Sequence, residues 1–421
     1  MADTIYALSS GAPPAGIGVI RISGPRAGEA LSRMANGLPP ARSPRLRIVR
    51  NGEGEALDQA LVMWFAGPNT ATGEDLAEIH CHGGRAVVAA LLAALSSIDG
   101  LREAEPGEFT RHAFSNGRID LAEAEGLADL LSAETELQRR GALLAAGGDL
   151  SRRIEGWRDR VLGLAASIEA VIDFADEDDV SLPASFSREL DELIGEIRAT
   201  SQRPATERLR DGIRVVLAGP PNAGKSSLFN ALLSDDAAIV TSEAGTTRDV
   251  LERPVSIGGV PLVLVDTAGM RDSGAGAIEE MGIERARKEV ANGHIVLWLG
   301  APDDLPVGAI QISAKSDLGA GQSEGLEVSA VTGFGLSELT DMLVEKAQEI
   351  LPPVDQIAFN RRQREWAQTA AQSLEVVDTH SDLLIAAENL RAARRALDRL
   401  VGRDSTEEML DALFGRFCIG K

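Results

Sequence analysis

The sequence predicts a multidomain α/β plus α protein. It comprises an α+β N-terminal domain, a helical bundle domain split in sequence, and a doubly wound P-loop nucleotide domain inserted between the two helical parts. Three observations carry that reading. Residues 219–226 read Gly-Pro-Pro-Asn-Ala-Gly-Lys-Ser between an apolar strand-like run and a helix-like run. Ala/Leu/Glu/Arg-rich sequence occurs twice, from Leu121 to Arg210 and from Arg361 to Leu413, around a stretch where strand and helix patterns alternate. The region before residue 119 mixes β-like runs with Gly/Pro turns. The expected domains are 1–118, 119–210, 211–350 and 351–421.

In the first domain, Ile17-Gly18-Val19-Ile20-Arg21-Ile22 and residues 60–65 read as strands, and residues 85–96 as a helix. Arg42, Arg45, Arg47 and Arg50 form a local basic stretch, expected to be a solvated loop. In the helical texture, Ile154, Trp157, Val161, Leu164 and Ile168 recur at helical spacing, as in a bundle. The acidic stretch 173–179 is expected to be a solvated loop between helices. In the inserted domain, strands are expected at 213–218, 262–265, 295–299, 310–313 and 326–328. Only about ten residues, 300–309, separate two of them. A parallel crossover usually needs about a dozen or more, so the usual helix there is expected to be shortened or lost.

Bulk numbers bound the function. The 421 residues carry a net charge of −22, which removes any global attraction for nucleic acid or anionic membrane. Aromatic residues are 4%, so base-stacking platforms should be scarce. Two cysteines far apart, Cys81 and Cys418, fit a reducing compartment. The opening Met-Ala-Asp-Thr-Ile-Tyr resembles no secretory signal, and the longest apolar run, 86–95, is too short to span a bilayer. A cytoplasmic protein without membrane segments is expected.

The phosphate-binding loop implies a nucleoside triphosphate. Backbone N–H groups of Asn222, Ala223, Gly224, Lys225, Ser226 and Ser227 would cradle phosphate oxygens. Lys225 would reach the outer phosphates and Ser226 would ligate Mg²⁺. Asp266-Thr267-Ala268-Gly269 ends a predicted strand, where Asp266 can hold Mg²⁺ through water and Gly269 lets the backbone approach the γ-phosphate. Gly245-Thr246-Thr247-Arg248-Asp249 has the position of a switch loop, whose Thr hydroxyl completes the Mg²⁺ shell. Ala314-Lys315-Ser316-Asp317 is similar to the guanine-reading N-K-x-D. Asp317 would accept from guanine N1 and N2, with Ser329-Ala330 as the second base-side loop. Ala314 in place of Asn removes a contact worth about 1 kcal/mol. Met270 stands where related switches place a water-orienting Gln, so the water must be held from elsewhere. Glu279 and Glu280 are candidates, but two exposed glutamates at a helix start are an equal reading on chemistry alone.

These segments resemble the MnmE (TrmE) family of tRNA-modification GTPases. The resemblance rests on G-P-P-N-A-G-K-S-S-L, I-V-T-S-E-A-G-T-T-R-D-V, D-T-A-G-M-R, M-G-I-E-R-A and the terminal Phe417-Cys418-Ile419-Gly420-Lys421. N-terminal segments 18–25, 72–75, 82–84, 106–110 and 116–121 match too, so the likeness spans the chain in order. It implies a folate-binding, dimerising N-terminal domain and a Ras-like G domain inserted in the helical domain. It also implies a homodimer that joins the FAD-dependent flavoprotein MnmG (GidA) in a heterotetramer or larger complex. That complex would modify C5 of the tRNA wobble uridine with a one-carbon unit from 5-formyl- or methylene-tetrahydrofolate.

The resemblance further implies site residues. Asn222, Thr241, the Glu243 carbonyl and Thr246 would hold K⁺ within the loop 241–246, which includes Ser242, Ala244 and Gly245. Ser226 and Thr247 would hold Mg²⁺. Glu279 aligns with the water-orienting glutamate, with Glu280 as the alternative. Arg21, Glu78, Arg118 and Lys421 would bind the folate; Arg118 stands where relatives often carry Lys. Cys418 has two level readings: covalent or redox work, or a small buried residue holding the tail. Cys81, in His80-Cys81-His82-Gly83-Gly84, is expected in a packed turn rather than at a zinc ion. A competing class is a regulatory GTPase switch that acts through partner binding without folate chemistry, for example in ribosome assembly.

Overall fold

The computed structural model describes residues 3–174, 181–234, 238–240, 251–267, 287–318, 325–353, 356–379, 382–404 and 406–420. The chain divides into two compact units, Met1–Ala128 with Val401–Lys421, and Asp129–Leu400.

The first unit is built on a six-stranded sheet of order β3-β4-β5-β2-β1-β6. Its strands are β1 (Thr4–Leu8), β2 (Ile17–Ser23), β3 (Arg45–Arg50), β4 (Ala56–Phe65), β5 (Leu76–His82) and β6 (Leu101–Glu103). Helices α1 (Ala27–Ala35) and α2 (Arg85–Ser96) share a core with one face of the sheet, where Ile20, Ile22, Val62, Ile79, Leu91 and Leu95 are fully buried. Side chains alternate across a strand. Ile20 and Ile22 therefore enter that core while Arg21, between them, faces the other way.

The basic stretch is a strand, not the expected loop. Arg45, Arg47 and Arg50 lie in β3 at the sheet edge, and only Arg42 lies outside it, with φ of 58°. The reason is pairing with β4 rather than a clean apolar face: only Val49 is buried, while Leu46, Ile48 and the arginines stay in solvent. Charge on an edge strand also discourages pairing with other chains.

The C-terminal segment completes this unit. Its helix, Glu407–Phe414, packs near α3 (Glu108–Ser115) and α4 (Leu121–Leu131) through Leu121, Ala124, Leu410, Phe414 and Phe417. Ile419 bridges Pro106. Two glycines make the docking possible. Gly107 has φ of 71°, and a Cβ there would stand 2.2 Å from the Phe414 carbonyl oxygen. Gly420 has φ of 93°, and a Cβ there would stand 2.2 Å from the Leu8 carbonyl oxygen.

The second unit joins a helical bundle to a doubly wound domain. The bundle holds α6 (Asp149–Asp173), α7 (Phe186–Ser201), α11 (Arg361–Glu375) and α12 (Leu383–Leu400), with α5 (Glu136–Ala146) and α8 (Glu207–Asp211) alongside. Ile154, Trp157, Val161, Leu164 and Ile168 are all buried on α6, as their spacing predicts. The acidic stretch falls largely outside the described residues, at 175–180.

The second sheet has the order β13-β12-β11-β7-β10-β9-β8. Strands β7 (Ile213–Ala218), β10 (Val260–Asp266), β11 (Ile295–Trp298), β12 (Ile310–Ala314) and β13 (Leu326–Val328) are parallel. Strands β8 (Ala238–Val240) and β9 (Leu251–Ile257) add an antiparallel edge that the strand pattern did not predict. The β9–β10 turn is Gly258-Gly259, both at positive φ, the two-residue hairpin signature. Helices α9 (Lys225–Ser234) and α10 (Leu336–Ile350) pack against this sheet. Between β11 and β12 there is one 3₁₀ turn, Pro302–Asp304, and no α-helix, as the short spacing predicts. Among the described residues, no helix is long and apolar enough to cross a membrane.

Candidate functional site

The strongest site lies at the end of the central strand of the second sheet. Strand β7 is flanked in parallel by β10 and β11 and ends at Ala218, just before Gly219. Gly219 has φ of 146°, and a Cβ there would stand 3.0 Å from the Leu299 carbonyl carbon, so the loop leaves the sheet where only glycine fits. The loop closes on α9, which begins at Lys225. Lys225 is buried, and its Nζ donates to the carbonyls of Gly219 (3.0 Å) and Pro220 (2.8 Å).

The hydroxyl of Ser226 donates to Asp266 Oδ2 at 2.7 Å. Asp266 ends β10 opposite Leu217 and is 1% exposed. Thr267 donates through Oγ1 to the Leu217 carbonyl at 2.8 Å, which fixes the strand end that carries the carboxylate. A hydroxyl beside a carboxylate is an oxygen set of the kind that holds a hard divalent cation.

The base-side residues meet the same loop. Asn222 has φ of 62°, and its carbonyl accepts from Lys315 Nζ at 2.7 Å. A Cβ on Gly224 would lie 3.5 Å from that of Ala314. Asp317 Oδ1 accepts from Ser329 Oγ at 2.7 Å, and Ser329 is fully buried. Ala223 packs on the sheet core, Ser227 is exposed and Ala330 is half-buried. The structure thus brings together residues 219–226, Asp266, Thr267, Lys315, Asp317 and Ser329. Thr241, Ser242, Glu243, Ala244, Gly245, Thr246, Thr247, Ala268, Gly269, Met270, Glu279, Glu280 and Lys421 lie outside the described residues.

A second cluster sits on the first unit's sheet, on the face away from α1 and α2. Strand register places Arg21 opposite Glu78. Glu78 Oε1 accepts from Arg21 Nη2 (2.9 Å) and Nε (3.2 Å), and Oε2 lies 3.0 Å from His80 Nε2. Burial pushes the Glu78 carboxyl up, but the hydrogen bonds from His80 and Arg21 outweigh it and hold the group below its ordinary range. The Arg21 guanidinium also lies 5.9 Å from the Phe109 ring centre. Arg118 is exposed just after α3, and a Cβ on Gly73 would stand 3.1 Å from its Cγ. Gly420, the neighbour of Lys421, meets Leu8 on β1, the strand paired with β2.

The cysteines differ from their sequence readings. Cys81 lies in β5 rather than in a turn, buried, with Sγ donating to the Gly18 carbonyl at 3.4 Å. The apolar environment raises its thiol pKa. Cys418 is exposed, which excludes the buried-anchor reading; Phe417, 5% exposed, anchors the tail instead. His80 was missed as a partner of Glu78. Its spacing of two along a strand was the available signal.

Similarity to known proteins covers nearly the whole chain. A family model described as the MnmE helical domain matches residues 121–418, and one described as the GTP-binding protein TrmE N-terminus matches 4–118. The tRNA modification GTPase MnmE of Erythrobacter litoralis is 56% identical over 423 residues, covering 100% of both chains. That of Novosphingobium aromaticivorans is 54% identical over 437 residues, again with 100% of both covered. That of Zymomonas mobilis is 48% identical over 435 residues, covering 99% of this chain and 100% of the relative. With the nucleotide loop, the helical bundle and the N-terminal sheet all accounted for, the chain belongs to the MnmE family and is a GTP hydrolase of tRNA modification.

Proposed function

We propose that this GTPase is activated by K⁺ and works with a flavoprotein of the MnmG type. Together they install an aminomethyl or carboxymethylaminomethyl group at C5 of the wobble uridine of certain tRNAs, with the carbon drawn from 5-formyl- or methylene-tetrahydrofolate. The working form is a cytoplasmic homodimer, and the chain divides at 1–118, 119–210, 211–350 and 351–421. One observation supports the reading most: a single chain carries both a phosphate-binding loop and a half-buried Arg21–Glu78 pair near a docked C-terminal tail. A switch that only binds partners needs the first and not the second.

In the nucleotide site, loop N–H groups and the start of α9 bind the phosphates. Lys225 exchanges its two carbonyl partners for outer phosphate oxygens. Asp317, oriented by Ser329, accepts from guanine N1 and N2. Ser226 and Asp266, 2.7 Å apart, fit Mg²⁺, with Thr247 as a further ligand. Mg²⁺ supplies positive charge at the β- and γ-phosphates. Asn222, with Thr241, Thr246 and the Glu243 carbonyl, offers neutral oxygen donors that suit K⁺. K⁺ supplies the charge that an arginine finger supplies elsewhere. Glu279 orients the attacking water, since Met270 cannot.

In the sheet-face site, Glu78 suits the N–H edge of a pterin. Arg21, Arg118 and Lys421 suit the ligand's carboxylates and carbonyls. The tetrahydrofolate supplies the one-carbon unit. Cys418, exposed beside this tail, is the candidate for covalent or redox work.

The test is reconstitution of the full-length chain with an MnmG-type partner, unmodified tRNA, GTP and a tetrahydrofolate derivative, read by nucleoside mass spectrometry. Modified uridine that requires both the chain and GTP is the expected result. Steady GTP hydrolysis with product forming equally well without this chain would overturn the reading.

A further inference from the structure

We infer that His80 is a positioning residue of the sheet-face site, holding one oxygen of Glu78 while the other passes from Arg21 to the ligand. The inference rests on the folate reading above and adds to it a residue and an order of contacts.

Strand alternation places Glu78 and His80 on one face of β5, away from the core that Ile79 enters. A carboxylate offers about four acceptor sites, two on each oxygen. Oε1 accepts twice from Arg21, at 2.9 and 3.2 Å, so its capacity is filled. Oε2 has one contact, to His80 Nε2 at 3.0 Å. A pterin edge that donates through two adjacent N–H groups needs an acceptor site on each oxygen. Oε2 can supply one as it stands. Oε1 can supply one only after Arg21 withdraws at least one of its bonds.

Arg21 has a place to go. Its guanidinium already lies near the Phe109 ring, and a ligand carboxylate or carbonyl offers it new acceptors. During that exchange Glu78, with its side chain only 14% exposed, would lose its main counter-charge. His80 keeps a donor on Oε2 and preserves the side-chain orientation. Its cross-strand neighbours, Val19 on β2 and Leu61 on β4, are apolar. The next histidine along β5, His82, is engaged with Asp58 at 2.8 Å. Among the described residues, no other group donates to Oε2.

The test uses the full-length chain and 5-formyltetrahydrofolate in calorimetric titrations, with thermal melts of each variant. His80→Ala and His80→Leu remove the donor; His80→Gln restores one. Wild type binds, both donor-less variants bind roughly 10- to 100-fold more weakly, and His80→Gln recovers most of the loss at an unchanged melting temperature. If His80→Ala fails to fold, His80→Leu carries the comparison. Donor-less variants within about twofold of wild type, or His80→Gln no better than His80→Leu, overturn the role of His80 alone. Absence of binding by wild type overturns the folate reading and this proposal with it.

Discussion

The two sites are built by opposite means. The nucleotide site is a loop of consecutive residues, 219–226, that turns sharply at Gly219 and ends on a helix. At the sheet face, side chains from separate strands meet only because register brings them together; Arg21 and Glu78 are 57 residues apart. A site made of backbone is compact in sequence and is set by glycines and one lysine. A site made across strands depends on the whole sheet, on α3 and on a tail that returns from the other end of the chain. Single changes should therefore act locally at the first and through folding at the second.

The largest effect is expected from Lys225→Ala, which removes the ammonium from the loop. GTP hydrolysis should fall at least about 100-fold, with no change in 5-formyltetrahydrofolate binding. Loss of both activities together would break the contrast between the sites.

Gly420→Ala should come next. Its Cβ would meet the Leu8 carbonyl oxygen at 2.2 Å in a left-handed backbone conformation. A cost of about 1–3 kcal/mol should appear in the first unit's denaturation midpoint and in folate affinity, while hydrolysis stays intact. An unchanged midpoint would show that the tail docking contributes nothing.

Acid should also weaken the sheet-face site. Glu78 is held below its ordinary value of 4.5, where bonds from His80 and Arg21 outweigh burial. Glu74 is held below it too, by the bond from His112 against burial. A carboxyl whose folded pKa is depressed gives stability that is full above the unfolded value and lost as pH falls through the folded one. The first unit should thus weaken below about pH 4.5, and Glu78→Gln should flatten that loss. Urea unfolding sampled by pulsed hydrogen exchange at a fixed labelling pH would read β2 and β5 directly.

The smallest effect is expected from Ala314→Asn, which restores a polar side chain near Gly224. GTP affinity should rise by about 1 kcal/mol, or roughly fivefold, in nucleotide titrations. No gain would mean that the Lys315 and Ser329 bonds already fix the base-side loops.

The same contrast explains what the sequence made legible. The phosphate loop, the strand before it and the shortened crossover at 300–309 were readable because each is local. The buried stripe of α6 was readable because helical period is local too. Strand β3 was misread because it buries only Val49 and its pairing with β4, not an apolar face, makes it a strand, and β9 because its residues, which include Pro254, make a poor strand signal. Gly258-Gly259 could have revealed its hairpin. At the sheet face, Arg21 and Glu78 came from family likeness, since no spacing along the chain encodes which strands pair. His80 was within local reach through its spacing of two from Glu78 along β5, whereas the exposure of Cys418 needed the docked tail.

The most direct measurement is GTP hydrolysis by the full-length chain in K⁺ against Na⁺ at equal ionic strength, for wild type and Asn222→Ala. Strong stimulation by K⁺ that disappears in the variant is the expected result. Equal rates in the two salts for wild type would contradict cation activation at Asn222 and leave the chain without the charge its switch region lacks.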